Sequence, residues 1–98
     1  EDTTVVAELA NVGEYLGTKA PKQVTPGIRT LAGQYLNDGR VEPWVAHYDE
    51  YGRSLARTDF NAGNPAHGIP DTHYHLFDWI TKGSHGTDLG HFPGEYIP

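Results

Sequence analysis

Turn-forming residues cut most of this chain into runs too short for anything but strands. After residue 27, apolar and β-branched stretches alternate with Gly, Pro and Asp-Gly punctuation, the pattern of an antiparallel meander. The runs are IRTLAGQYL, VEPWVAHYD, RSLARTDF and THYHLFDW, and the Asp-Gly of NDGR at 37–40 is the pair favoured in tight hairpins. NAGNPAHGIP, between the third and fourth runs, is interrupted by Pro and Gly and reads as a loop, long enough to be functional. The last stretch, TKGSHGTDLGHFPGEYIP, reads as an irregular, Gly-rich tail. Twelve glycines and seven prolines in 98 residues agree with short elements.

The start of the chain follows a different period. In TTVVAELANVGEYLG, Val5, Val6, Leu9, Val12, Tyr15 and Leu16 recur at helical spacing, with Thr3 or Thr4 to cap the start and Gly17 to end it. TKAPKQVTPG has no periodicity and reads as a connector. Ile28, Leu31 and Tyr35 also fit a helix over 27–36, but Gly33 and the preceding Pro-Gly favour a strand. The expected fold is therefore α+β. One N-terminal helix, with a second as the alternative over 27–36, packs on a four-stranded antiparallel sheet in a single domain spanning 1–98.

Composition removes several kinds of chemistry. There is no cysteine, which excludes disulfides, thiolate zinc sites and a cysteine nucleophile. No apolar run is long enough for a transmembrane span, and EDTT lacks the character of a signal peptide. A chain with no Met reads as a domain cut from a longer protein or as the product of a processed precursor. The net charge of −6 opposes broad attraction to nucleic acid at neutral pH. Six histidines offset that charge when protonated.

Strand alternation gathers the polar groups capable of chemistry. Period two puts Arg53, Leu55, Arg57 and Asp59 on one side of the third run, and His73, His75, Phe77 and Trp79 on one side of the fourth. If these runs are antiparallel neighbours, Arg57 and Asp59 meet His73 and His75 across the ladder, with His67 hanging from the loop above. Lys19, Lys22 and Lys82 fall outside this cluster, and His91 and Glu95 would complete a site if the tail folds back, although Phe92, Pro93 and Tyr96 favour a packed tail. Trp44, Tyr48, Phe60, Tyr74 and Phe77 read first as core, although an exposed ring such as Tyr74 would serve to stack on a base, with Arg53 as a further substrate contact.

Three readings of the cluster stand side by side. In the first, the histidines are half-buried strand residues and Arg57–Asp59 is an ordinary ion pair. In the second, His73 and His75 ligate a divalent ion with His67, Asp59 or His47 as a third ligand. In the third, no metal or cofactor is needed. One histidine takes the proton of an attacking hydroxyl, another protonates the leaving oxygen, and Arg57 stabilises the charge on the phosphoryl group. RNA suits that chemistry because its own 2′-hydroxyl is the nucleophile.

The combination ARTDFNAGNPAHGIPDTHYHLFDW resembles the C-terminal toxin domains of bacterial polymorphic toxins, and more specifically small ribonuclease toxins of the barnase/EndoU/colicin/RelE-like type. The resemblance covers residues 40 to 98. It implies metal-independent RNA cleavage, delivery by a secreted or contact-dependent toxin into the target cell's cytoplasm, and a cognate immunity protein. It places the basic and histidine roles on Arg57, His73 and His75, with His67 contributed by the loop. The expected protein is a monomeric antibacterial ribonuclease without a membrane anchor; the alternative is a non-enzymatic metal-binding or protein-interaction domain that uses the histidines.

Overall fold

The structure, a computed structural model, describes residues 18–98. Five strands follow one another as a meander: β1 (Thr30–Asn37), β2 (Arg40–Tyr48), β3 (Ser54–Asp59), β4 (His73–Asp78) and β5 (Thr87–Pro93). All neighbours are antiparallel, and spatial order equals sequence order. The expectation of an α+β fold with four strands is therefore corrected. The described residues are all-β, and a single 3-10 turn at Pro65–His67 is the only helical element among them. The helix expected over residues 3–17 lies outside the described residues, and 27–36 contains β1 rather than a second helix.

Local chemistry explains the elements. Asn37 faces Arg40 across a two-residue turn in which Asp38 and Gly39 both have positive φ, the conformation that matches strand twist in a hairpin. Between β2 and β3 the Asp49 carboxylate accepts the backbone N–H groups of Tyr51 and Arg53 and pairs with the Arg53 side chain at 2.8 Å. Gly52 has φ +81° in that turn, and a Cβ there would collide with the Val24 carbonyl oxygen. The tail read as irregular contains β5. Gly90, at φ +108°, and Pro93 hide its period, and a register shift between His75 and Phe77 interrupts its pairing.

The core lies on one half of one face. Leu31, Trp44, Ala46 and Tyr48 are buried there, with Ala20, Val24, Ile28 and Tyr35 packed against them. The stretch read as a connector covers this core without forming a strand of its own. Trp44 Nε1 donates to the Thr18 carbonyl at 2.8 Å, Tyr48 Oη donates to the Pro21 carbonyl at 2.6 Å, and Val24 N donates to Gly52 O at 2.8 Å. On the other face Tyr74 stacks on Phe92, and Tyr96 meets Tyr74 and His47, with its N–H bonded to Thr58 Oγ1 at 3.0 Å.

Leu31→Ala should cost about 2–5 kcal/mol, because it empties a fully buried position beneath the covering segment. An unchanged denaturation midpoint would contradict that packing. The turn after β4 gives a pH signature. The Asp78 carboxylate accepts from the Thr81 hydroxyl and from the backbone N–H groups of Ile80, Thr81 and Lys82. These bonds, the Thr81 hydroxyl first, lower its pKa from 3.8 to about 2. A depressed folded-state pKa contributes stability that is intact above about 3.8 and is lost as pH falls through about 2. Unfolding measured across that window should show an acid-driven loss that is smaller in Asp78→Asn than in the unmodified chain.

Candidate functional site

Register extends the rows of the core across the sheet into a polar cluster. Trp44 pairs with Asp59, Asp59 with His73, and His73 with Pro93. One step along, Ala46 pairs with Arg57, Arg57 with His75, and His75 with His91. Paired residues share a face, so the surface that buries Leu31 and Trp44 over β1 and β2 carries Arg57, Asp59 and three imidazoles over β3 to β5. His73 and His75 are 3% and 5% exposed, which demands partners for their ring nitrogens.

Asp59 is the hub. Arg57 grips it with two parallel hydrogen bonds, Nε to Oδ1 at 2.8 Å and Nη2 to Oδ2 at 3.0 Å. The same Oδ2 lies 3.4 Å from His73 Nε2 and 3.2 Å from His75 Nε2. Burial works against the Asp59 charge, but the hydrogen bonds from His75 and Arg57, with the Arg57 charge, outweigh it and hold the carboxyl below its ordinary range. The outer ring nitrogens are also taken. His73 Nδ1 lies 3.0 Å from the Pro70 carbonyl, and His75 Nδ1 lies 3.1 Å from Asp88.

These contacts leave the pair short of protons. All four ring nitrogens of His73 and His75 face oxygen acceptors, whereas two neutral imidazoles carry only two N–H groups. The Pro70 carbonyl takes the Nδ1–H of His73, which leaves its Nε2 lone pair toward Asp59, and His75, with a carboxylate at each nitrogen, can donate to both only with an added proton. Positive charge between the rings and Asp59, a proton or a metal ion, resolves this.

His91 completes the group from β5. Its ring centroid lies 4.9 Å from that of His73 and 4.5 Å from that of His75, and its own side is exposed. Partial burial first, and then the neighbouring charges of His75 and His73, push its pKa below the usual imidazole value. The cluster opens into a cleft of about 370 Å³ whose walls include Lys19, Arg40, Glu42 and Trp44. Arg40 pairs with Glu42 at 2.7 Å and donates to the Gly63 carbonyl at 3.1 Å, tying the β3–β4 loop to the rim. Lys19 Nζ stands 5.0 Å from the centre of the Tyr35 ring.

The structure thus brings together Arg57, Asp59, His73 and His75, and separates the other residues expected at the site. His67 is exposed on the 3-10 turn and is not among the residues lining the cleft. Arg53 pairs with Asp49 and lies over the Tyr51 and Trp79 rings. Tyr74 is on the opposite face, stacked on Phe92, as is His47 against Tyr96. Lys19, expected outside, lines the cleft, and His91, expected in a packed tail, joins the imidazoles. The alternation of Thr87, Leu89 and His91 after Gly86 was the available sign of β5; nothing local marks Lys19, which arrives through the tertiary fold.

Asp59→Asn should destabilise the domain by about 3 kcal/mol, because it strands a half-buried guanidinium. Arg57→Gln should recover part of that cost in the double variant. Denaturant unfolding of both single variants and the double variant measures the coupling, and additive effects would contradict it.

A family model described as the PT8 toxin domain matches residues 3–97. No curated protein and no solved structure gives a significant match.

Proposed function

The chain belongs to the PT8 toxin domain family, and from its being a toxin domain we propose that it acts by cutting RNA in the imidazole cleft without a metal. The observation that carries this reading is the convergence of His73, His75 and the Arg57–Asp59 pair on one wall of an open cleft. Three cationic side chains, Lys19, Arg40 and Arg57, line that cleft alongside three anionic ones, Glu42, Asp59 and Asp88. The excess negative charge of the whole chain is therefore not concentrated where a phosphodiester would enter.

Roles follow from hydrogen-bond accounting. His73 donates Nδ1–H to the Pro70 carbonyl, which leaves Nε2 to accept the proton of the attacking 2′-hydroxyl. His75, with a carboxylate beside each nitrogen, holds the additional proton and delivers it to the departing 5′-oxygen. Asp59 stabilises that imidazolium and positions both rings, and Arg57 supplies positive charge to the phosphoryl oxygens as negative charge builds on them. The bond from the 2′-oxygen to phosphorus forms as the bond to the 5′-oxygen breaks, leaving a cyclic phosphate.

A toxin domain implies a cognate immunity partner, and toxin membership is consistent with delivery to target cells. No helix among the described residues is long and apolar enough to cross a membrane.

The test is incubation of the purified chain with RNA and with its all-deoxy counterpart in excess chelator. RNA should be cut to cyclic-phosphate ends while the deoxy strand, which lacks the nucleophile, survives. His73→Gln and His75→Gln should each lower the rate by about 10²–10⁴ at temperatures where circular dichroism shows them folded. Equal cutting of both strands, or an active double variant, would refute the mechanism.

A further inference from the structure

We propose that the imidazoles of His73, His75 and His91 form a binding site for a divalent transition-metal ion of the zinc class, and that its occupancy silences the RNA-cutting chemistry. The second part rests on the metal-free function proposed above; the first stands on the geometry alone.

One ligand nitrogen from each of the three rings falls within 4.8 Å of the others. Tetrahedral zinc–imidazole bonds of about 2.0–2.1 Å place ligand nitrogens about 3.3 Å apart, so closure needs only modest ring movement. His91 can supply it, because it is the exposed member, while His73 and His75 are held on one strand. Their outer nitrogens are also arranged as metal sites require. A ligating histidine generally donates its other N–H to a carbonyl or carboxylate, and Pro70 O and Asp88 occupy those positions for His73 and His75.

Charge favours a cation at the same point. In the tautomers that ligation through Nε2 requires, with both ring protons on Nδ1, the two Nε2 lone pairs face Asp59 Oδ2 at 3.4 and 3.2 Å. A metal ion turns this clash of lone pairs and anion into ligation with a compensating carboxylate nearby. Three neutral nitrogen donors suit zinc or its neighbours in the first transition row rather than magnesium or calcium, which demand oxygen. Ligation also takes the lone pair that His73 needs to accept a proton and removes the proton that His75 would donate. Metal binding and metal-free cleavage are thus competing uses of the same atoms.

Zinc chloride titrated into the full chain, followed by calorimetry and thermal unfolding, tests the site. One equivalent should bind and raise the melting temperature, and cobalt(II) should show the visible absorption of a low-coordinate nitrogen site. His91→Ala should weaken binding at least tenfold while the metal-free melting temperature stays close to that of the unmodified chain. His91→Gln, which preserves more of the ring's packing, provides the same comparison should the alanine variant unfold. No stoichiometric binding, or equal binding by a folded His91 variant, overturns the site. RNA cleavage by the metal-free chain, with the chelator removed, should fall when one equivalent of zinc is added. Undiminished cleavage by the zinc-loaded chain overturns the silencing, and cleavage that requires zinc overturns both the silencing and the metal-free mechanism. Zinc binding lost in the His91 variants, with no RNA cleavage under either condition, supports the metal site and counts against the proposed function instead.

Discussion

Strand register is the constraint on which everything else here depends. Because paired residues in an antiparallel ladder lie on the same face, the pairings Trp44 to Asp59 to His73 and Ala46 to Arg57 to His75 decide which side chains can meet. A slip of one residue in β4 would turn the histidines toward the Tyr74 and Phe92 face, and one in β3 would turn Arg57 and Asp59 there, so either leaves Asp59 without the imidazoles. The apolar half of the face enforces the register, since the same slip in β2 would expel Trp44 and Tyr48 from the core. Packing energy on β1 and β2 thereby holds the polar geometry on β3, β4 and β5.

Asp59 then organises the charges. A carboxylate set among half-buried groups would ordinarily be unstable as an anion, and the fork of Arg57 together with the hydrogen bond from His75 keeps it ionised. The cluster has no spare N–H to satisfy every acceptor around His73 and His75. A site in that condition gains by acquiring a proton or a cation, and both uses proposed for it follow from this single shortage.

Much of the site was legible before the fold, because strand alternation alone predicts it. The Arg-x-Asp of β3 and the His-x-His of β4 meet across the ladder as their spacing requires, and the Asp-Gly hairpin falls where the turn residues place it. Fold class was not legible in the same way: the helical period belongs to residues outside the described region, and β5 was hidden by Gly90 and Pro93 at an edge where pairing tolerates them. With β5 unread, His91 ranks as tail packing rather than as a third imidazole of the cluster. His67 and Arg53 were misplaced for another reason. Loop direction and turn capping, here through the Asn64–Ile69 bonds and the Asp49 carboxylate, are decided by local hydrogen bonds that period-two reasoning does not include. Tyr74 falls one residue out of step with His73 and His75, so alternation itself sends it to the other face.

The meander order also governs how quickly such a domain can assemble. Each strand pairs only with its neighbour in sequence, so no distant segment must be found before pairing begins, and the longest connection to close is the β3–β4 loop at 60–72. The tight turn at Asp38 and Gly39 closes the first hairpin with the shortest of these connections. The imidazole cluster draws on the last two hairpins, and Lys19 reaches the cleft wall only once the segment preceding β1 has closed over the sheet. The chemistry of the domain is therefore tied to complete folding: a partly assembled chain can own its first hairpin and still have no site.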